Sequence, residues 1–200
     1  MQAEIEAKFL NINIDAVRAA LKSAGATCEQ PMRMMRRALI EEPHHYENHS
    51  FIRVRDEGDK ITLTYKKRGH RDANRIDNTA EIEVVVSDFE KTVELFKEAG
   101  WEYKTFQESK RETWHLGDVE VVIDEWPWLE PYIEIEASSE EKVHSAAKTL
   151  GFDWSDALFS HIDAAYQTKY DFAPGFRGVI DLKEVRFGDP LPTQFTPKEI

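Results

Sequence analysis

The sequence predicts an α+β fold: a large antiparallel sheet, closed or nearly closed into a barrel, with helices flanking it. Three observations carry this. Charged and apolar residues alternate in stretch after stretch, and period two is the signature of a strand with one polar face. Short turns such as Glu57-Gly58-Asp59 and Gly117-Asp118 separate the stretches, which favours antiparallel pairing. The polar face is also unusual. It carries paired carboxylates on several strands and Arg or Lys on others, where a solvated face mixes Thr, Ser, Gln, Lys and Glu loosely. Charges of both signs at that density suit the lumen of a closed sheet.

The chain is organised around its first strand. Glu4, Glu6 and Lys8 share one face, and Ile5, Ala7 and Phe9 share the other. Two carboxylates at that spacing can converge on one hard cation, although an amphipathic edge strand with a solvated side reads the same way. Asp15 is placed to cap a helix from Ala16 to Ala24 that stops at Gly25. Met32 to Ile40, with Arg33, Arg36 and Arg37, reads as a strand of less regular alternation. Glu41 to Ser50 reads as a polar loop, and its His44, His45 and His49 raise zinc only to lack a completing ligand set. Phe51 to Asp56 and Lys60 to Lys67 form a hairpin, with Arg53 and Arg55 on one face of the first arm and Thr62, Thr64 and Lys66 together on the second. A polar connection, Arg68 to Asn78, leads to Glu81-Ile82-Glu83-Val84-Val85-Val86. Ser87 and Glu90 suggest a capping box for a helix that ends at Gly100. Tyr103 to Leu116 and Val119 to Asp124 make a second hairpin. Two prolines, Pro127 and Pro131, break the chain before Tyr132 to Ala137, where Glu134 and Glu136 share a face. Ser138 or Ser139 caps a helix that ends at Gly151, a further helix runs from about Ser155 to Lys169, and the tail from Asp171 wraps the domain.

Composition bounds the function. Two hundred residues, 41% hydrophobic, suffice for one sizeable domain, read as 1–200 with strands over 2–137 and helices and tail over 138–200. The net charge of −12 argues against a nucleic-acid surface. The single cysteine, Cys28, excludes a disulfide framework and is placed as a small core residue near a helix end. No apolar run is long enough for a membrane span and no secretory signal precedes the first strand, so the expected location is cytoplasmic. A lumen lined by both signs implies a polyanionic ligand with divalent cations bridging it to the carboxylates.

These residues resemble the CYTH superfamily, the triphosphate tunnel metalloenzymes, which contains class IV adenylyl cyclases, thiamine triphosphatases and inorganic tripolyphosphatases. The resemblance runs through Glu4-x-Glu6-x-Lys8, Arg53-x-Arg55, Lys66, Glu81-x-Glu83, Arg111-x-x-Trp114, Asp124 and Glu134-x-Glu136, in the family's order. It implies an antiparallel triphosphate tunnel. Lys8, Arg53, Arg55, Lys66 and Arg111 would hold phosphate oxygens. Glu4, Glu6, Asp124, Glu134 and Glu136 would ligate Mg²⁺ or Mn²⁺. Glu81 and Glu83 would either ligate metal or orient the basic residues, and Lys8, Glu4, Glu6 and Arg111 would carry the catalysis. The implied enzyme is a metal-dependent phosphohydrolase of ATP, tripolyphosphate or thiamine triphosphate, a monomer or homodimer. A class IV-like adenylyl cyclase and a non-catalytic polyphosphate-binding module are the alternatives. Two positions depart from the family pattern. Many members carry a lysine two residues before the arginine matching Arg111, where this chain has Ser109. Many also have Leu-Gly-x-Phe leading into the last Glu-x-Glu, where this chain has Leu129-Glu130-Pro131-Tyr132.

Overall fold

Alternating strands with one apolar face must bury that face, and here helices cover it except near Ile82 and Val84, which stay exposed. The computed structural model describes residues 5–41, 43–47, 50–68 and 79–198. In chain order the first elements are β1 (Ile5–Phe9), α1 (Ile14–Ser23), β2 (Thr27–Ile40), α2 (Pro43–Glu47), β3 (Ser50–Asp56), β4 (Ile61–Arg68), β5 (Thr79–Val86) and α3 (Phe89–Glu98). Then follow β6 (Thr105–Leu116), β7 (Val119–Glu125), β8 (Tyr132–Ala137), α4 (Glu140–Thr149), α5 (Ile162–Lys169), β9 (Tyr170–Phe172), β10 (Glu184–Val185) and β11 (Phe195–Pro197). The main sheet has the order β1-β8-β7-β6-β2-β3-β4-β5, antiparallel throughout, with β10 added beside β6 in parallel.

The apolar face of β1 and β6–β8 packs α1 and α4. Ala7, Phe9, Trp114, Val121, Ile123, Ile133 and Ile135 meet Val17 and Leu21 of α1 and Val143, Ala146 and Ala147 of α4. On the other half, Ala38, Val54, Ile61 and Leu63 pack Phe89, Val93 and Phe96 of α3. Both sets of helices therefore cover the same side, and the charged residues are left to the opposite face. That face curls inward. Glu134 feels the charge of Arg55, four strands away in the sheet order, whereas in a flat sheet those strands would lie about 19 Å apart.

The sheet is not closed into a barrel by hydrogen bonds among the described residues. The outer edge of β1 is taken by Leu158, whose N–H and C=O exchange bonds of 2.9 and 3.0 Å with Lys8. At the far edge β5 pairs with β4. The segment after α4 thus occupies the edge that closure would need. For the same reason the helix expected over Ser155 to Lys169 is only α5. Its first part is a 3₁₀ turn at Trp154–Asp156 followed by the extended Leu158.

Smaller differences have local causes. Asn13, not Asp15, caps α1 by accepting from Ala16 N–H at 3.0 Å, and Asp88, not Ser87, caps α3 through Lys91 N–H at 2.9 Å. Each accepting side chain sits three residues before its donor, two residues from the expected cap in α1 and one in α3. Ser139 caps α4. β2 starts five residues earlier than expected, and its register against β6 shifts between Cys28 and Gln30 and again between Gln30 and Arg33. Those bulges lie in its first half; from Arg33 to Leu39 the register is unbroken. Cys28 lies exposed on this strand and is not a core residue. Part of the predicted polar loop, Pro43–Glu47, is the short α2, in which His45 is buried; His49 and 69–78 lie outside the described residues.

From α5 onward the chain packs on the sheet. Tyr166, Tyr170, Val179, Leu182, Val185 and Phe195 form a second core with Trp126 and Tyr132. Gly178 (φ 132°) lets the backbone press against Asp163, which accepts from Val179 N–H at 2.9 Å; a Cβ there would lie 2.0 Å from the Asp163 carboxylate. The Val179 carbonyl in turn accepts from Gln107 and Thr105 of β6 at 3.2 and 3.4 Å.

Candidate active site

The pairing register lays the charged residues of the helix-free face in rows. One row runs Glu6 (β1), Glu136 (β8), Glu120 (β7) and His115 (β6). The next holds Lys8 beside Glu134. Further along the strands come Tyr132, Asp124 and Arg111, then Arg37 opposite Arg55, then Arg53 opposite Thr64, with Lys66 opposite Glu81. The face is thus acidic toward the start of β1 and basic toward the middle of β2 and β3.

Lys8 is 3% exposed and bonds Glu6 Oε1 at 2.6 Å, with Glu134 Oε1 at 3.3 Å. Burial works against its charge, but Glu134 and Glu6 outweigh that and raise its pKa above the usual lysine value. Arg111 donates Nε and Nη2 to Asp124 at 2.7 and 2.6 Å, a bidentate fork, and reaches Glu134 at 3.1 Å. Tyr132 OH donates to Asp124 Oδ2 at 3.2 Å, so Asp124, itself 1% exposed, is saturated by its neighbours. Arg55 pairs with Glu57 at 3.3 Å, Lys66 with Glu81 at 3.4 Å and Arg53 with Glu83 at 3.8 Å, Thr64 bridging the last two through its hydroxyl. Burial pushes the pKa values of Arg53 and Arg55 down, helped by neighbouring arginines: Arg55 and Arg37 around Arg53, and Arg111 around Arg55. Arg53 Nε is buried with no acceptor among the described residues. A site whose buried cations repel one another and retain spare donors is complementary to a polyanion.

Of the residues singled out from the sequence, Glu6, Lys8, Arg53, Arg55, Lys66, Glu81, Glu83, Arg111, Asp124, Glu134 and Glu136 all sit on this one face. Glu4 lies outside the described residues. Lys110 points the other way, to Glu125 at 3.4 Å and the Phe187 ring. Sequence reasoning missed Arg37, Thr64, Glu57 and Tyr132. It also missed Glu29, His115 and Glu120, whose ligand atoms lie within 4.8 Å of one another at the acidic end. His44 and His45 instead pack against each other and against Trp101 with tilted or edge-on rings. For Arg37 the signal was present: of two adjacent arginines on a strand, one must face each way.

Electrostatics at Glu134 set a pH dependence. Burial raises its pKa, but Lys8 and Arg111 overcome this and hold it down at about 2 instead of 4.5. A carboxylate depressed on folding contributes stability that is complete above the unfolded value and is lost as pH falls toward the folded one. Melting temperature should therefore drop as pH is lowered from about 5 toward 2, and Glu134→Gln should flatten part of that slope. An unchanged slope in the variant would show that other carboxylates set it.

The family model for the CYTH domain matches residues 2–157. The chain belongs to the CYTH domain family. No curated protein matches it by sequence. Among solved structures, a conserved hypothetical protein from Pyrococcus furiosus is 23% identical, with 80% of this chain and 98% of that one covered and a TM-score of 0.66. A Vibrio parahaemolyticus protein named as a candidate adenylate cyclase is 12% identical over 83% and 98%, with a TM-score of 0.69. A Hippeastrum protein, a candidate adenylyl cyclase titled as revealing a dominant triphosphatase activity, is 14% identical over 84% and 96%, with a TM-score of 0.55. At these identities the likeness is one of fold. The packed segment from Leu158 onward lies beyond the family match.

Proposed function

We propose that the chain is a divalent-metal-dependent phosphohydrolase of triphosphates. The observation that carries this is the division of one face into a carboxylate row and an adjoining arginine recess. Pure anion binding gains nothing from the acids, and pure metal binding gains nothing from buried arginines. Glu6, Glu134 and Glu136 offer only oxygen donors, as does Glu4 in sequence, and such a set fits Mg²⁺ or Mn²⁺. When bound, the metal would neutralise phosphate charge and lower the pKa of a coordinated water.

The chain's own residues then position the substrate. Arg53, Arg55 and Lys66 grip non-bridging oxygens, the arginines through planar forks. Arg111 reaches the same recess and is held in orientation by Asp124, which Tyr132 fixes in turn; with both its oxygens engaged, Asp124 serves as an orienting residue. Lys8, clamped between Glu6 and Glu134, places a fixed positive charge beside the acidic row, where negative charge develops as phosphoryl transfer proceeds. Water attacks the terminal phosphorus, the bond to the bridging oxygen breaks, and orthophosphate and the shortened chain leave.

The deciding experiment is incubation with tripolyphosphate, ATP or thiamine triphosphate plus Mg²⁺ or Mn²⁺, with identification of products. Orthophosphate release is expected. Cyclic AMP with pyrophosphate would establish the cyclase reading, and tight binding without turnover the binding module.

A further inference from the structure

On the charged face, almost every cation is spoken for. Lys8, Arg53, Arg55, Lys66 and Arg111 each have a carboxylate within ion-pair distance, and Arg33 is held by the backbone carbonyls of Glu57 and Arg111 at 3.0 and 3.2 Å. Arg37 is the exception: among the described residues it makes no ion pair. Its Nε donates to Gln107 Oε1 at 2.8 Å, and its guanidinium lies 4.4 Å from the centre of the Trp126 ring. Gln107 is 1% exposed and is itself fixed by the Val179 carbonyl, so the tail beyond the family match sets the amide that aims Arg37. Burial lowers the pKa of Arg37 to about 10, reinforced by the charge of Arg55 and, more weakly, Arg111; Tyr132 and Asp163 act in the other direction without contact. A cation placed among cations without a counter-charge is costly, and a fold keeps it where an anion is to arrive.

A small recess adjoins Arg37. A cavity bordered by Met35, Arg37, Arg55, Ser109, Arg111 and Trp126 opens at this point. Ser109, on the neighbouring strand β6, brings no charge to this cavity. In the β2–β6 register Met35 faces Ser109 and Arg37 faces Gln107, one step along on the same face. We propose that Arg37 is a phosphate-binding residue of this cavity, supplying from β2 the cation that Ser109 does not supply from β6. The ligand class is the linear phosphate chain of the proposed function, on which this inference rests, and Arg37 would take non-bridging oxygens of one of its phosphoryl groups.

Arg37→Met keeps the length and the apolar contact with Trp126 while removing charge and fork. It should weaken binding of tripolyphosphate, measured with Mg²⁺ by calorimetry, by about ten- to a hundredfold. It should leave the melting temperature of the ligand-free protein unchanged or raised, because an uncompensated charge has gone; a purely structural arginine would lower it. Adding Ser109→Lys to Arg37→Met should recover most of the lost affinity. Unchanged affinity in Arg37→Met, or no recovery in the double variant, would overturn the proposal. Should Arg37→Met not fold, Ser109→Lys alone decides: a second cation at the cavity should tighten tripolyphosphate binding several-fold, and no change overturns the assignment. If the unaltered chain does not bind tripolyphosphate at all, the functional reading fails and takes this inference with it, whereas binding indifferent to Arg37 removes the inference alone.

Discussion

Arg111→Met should lower the free energy of unfolding by about 3–5 kcal/mol, the usual cost of stranding one member of a buried ion pair. The size follows from the partner. Asp124 is 2% exposed in its side chain, and Arg111 gives it two short bonds. Without the guanidinium, only Tyr132 OH remains to the carboxylate, which must stay buried and charged or take up a proton. Urea denaturation at neutral pH measures the loss directly. Asp124→Asn in the same chain should restore a good part of it by removing the stranded charge, and this rescue separates electrostatics from lost packing. A loss below about 1 kcal/mol would mean that water reaches Asp124 and solvates it.

Glu6→Gln combined with Glu136→Gln should abolish metal-dependent phosphate release, by at least a hundredfold on the scale of losing one electrostatic element of an active site, with little change in melting temperature. The two residues face each other across β1 and β8. The Glu6 side chain is 36% exposed, so it contributes little to stability, and Lys8 keeps Glu134 as its partner. A carboxamide keeps the shape of the carboxylate but not the charge that a hard divalent cation needs. Higher metal concentrations should restore part of the rate if the loss is one of metal affinity. Full activity at ordinary Mg²⁺ would remove the acidic row from the chemistry.

The two expectations depend on different features of the chain, and the features were not equally legible. The acidic row is readable from sequence because Glu6, Glu134 and Glu136 alternate with Ile5, Ala7, Ile133 and Ile135 on short, regular strands. The ion-pair pattern is not. That Arg111 binds Asp124, while Arg53 has only a distant Glu83, depends on which strands become neighbours and on how far the sheet curls. Arg37 was passed over although β2 keeps an unbroken register from Arg33 to Leu39: apolar residues fall on both faces there, as Met34, Met35, Ala38 and Leu39, and so did not mark which of the two adjacent arginines turns to the charged face. The group Glu29, His115 and Glu120 was hidden for another reason: His115 and Glu120 face each other across the β6–β7 hairpin, but Glu29 comes from β2, far away in the chain.

The sequence by itself determined the class of fold, the strands that carry each face and the sign of the charges on them, because side-chain alternation and turn chemistry are local properties that tertiary structure seldom reverses. Only the tertiary structure decided how the sheet ends. Leu158 takes the edge of β1, and the segment from α5 to β11 packs Tyr166, Val179 and Phe195 against Trp126 and Tyr132. Edge capping and docking of this kind are long-range contacts between pieces with no strong local pattern of their own. Their free energy comes from apolar area that becomes buried only once the partner surface exists.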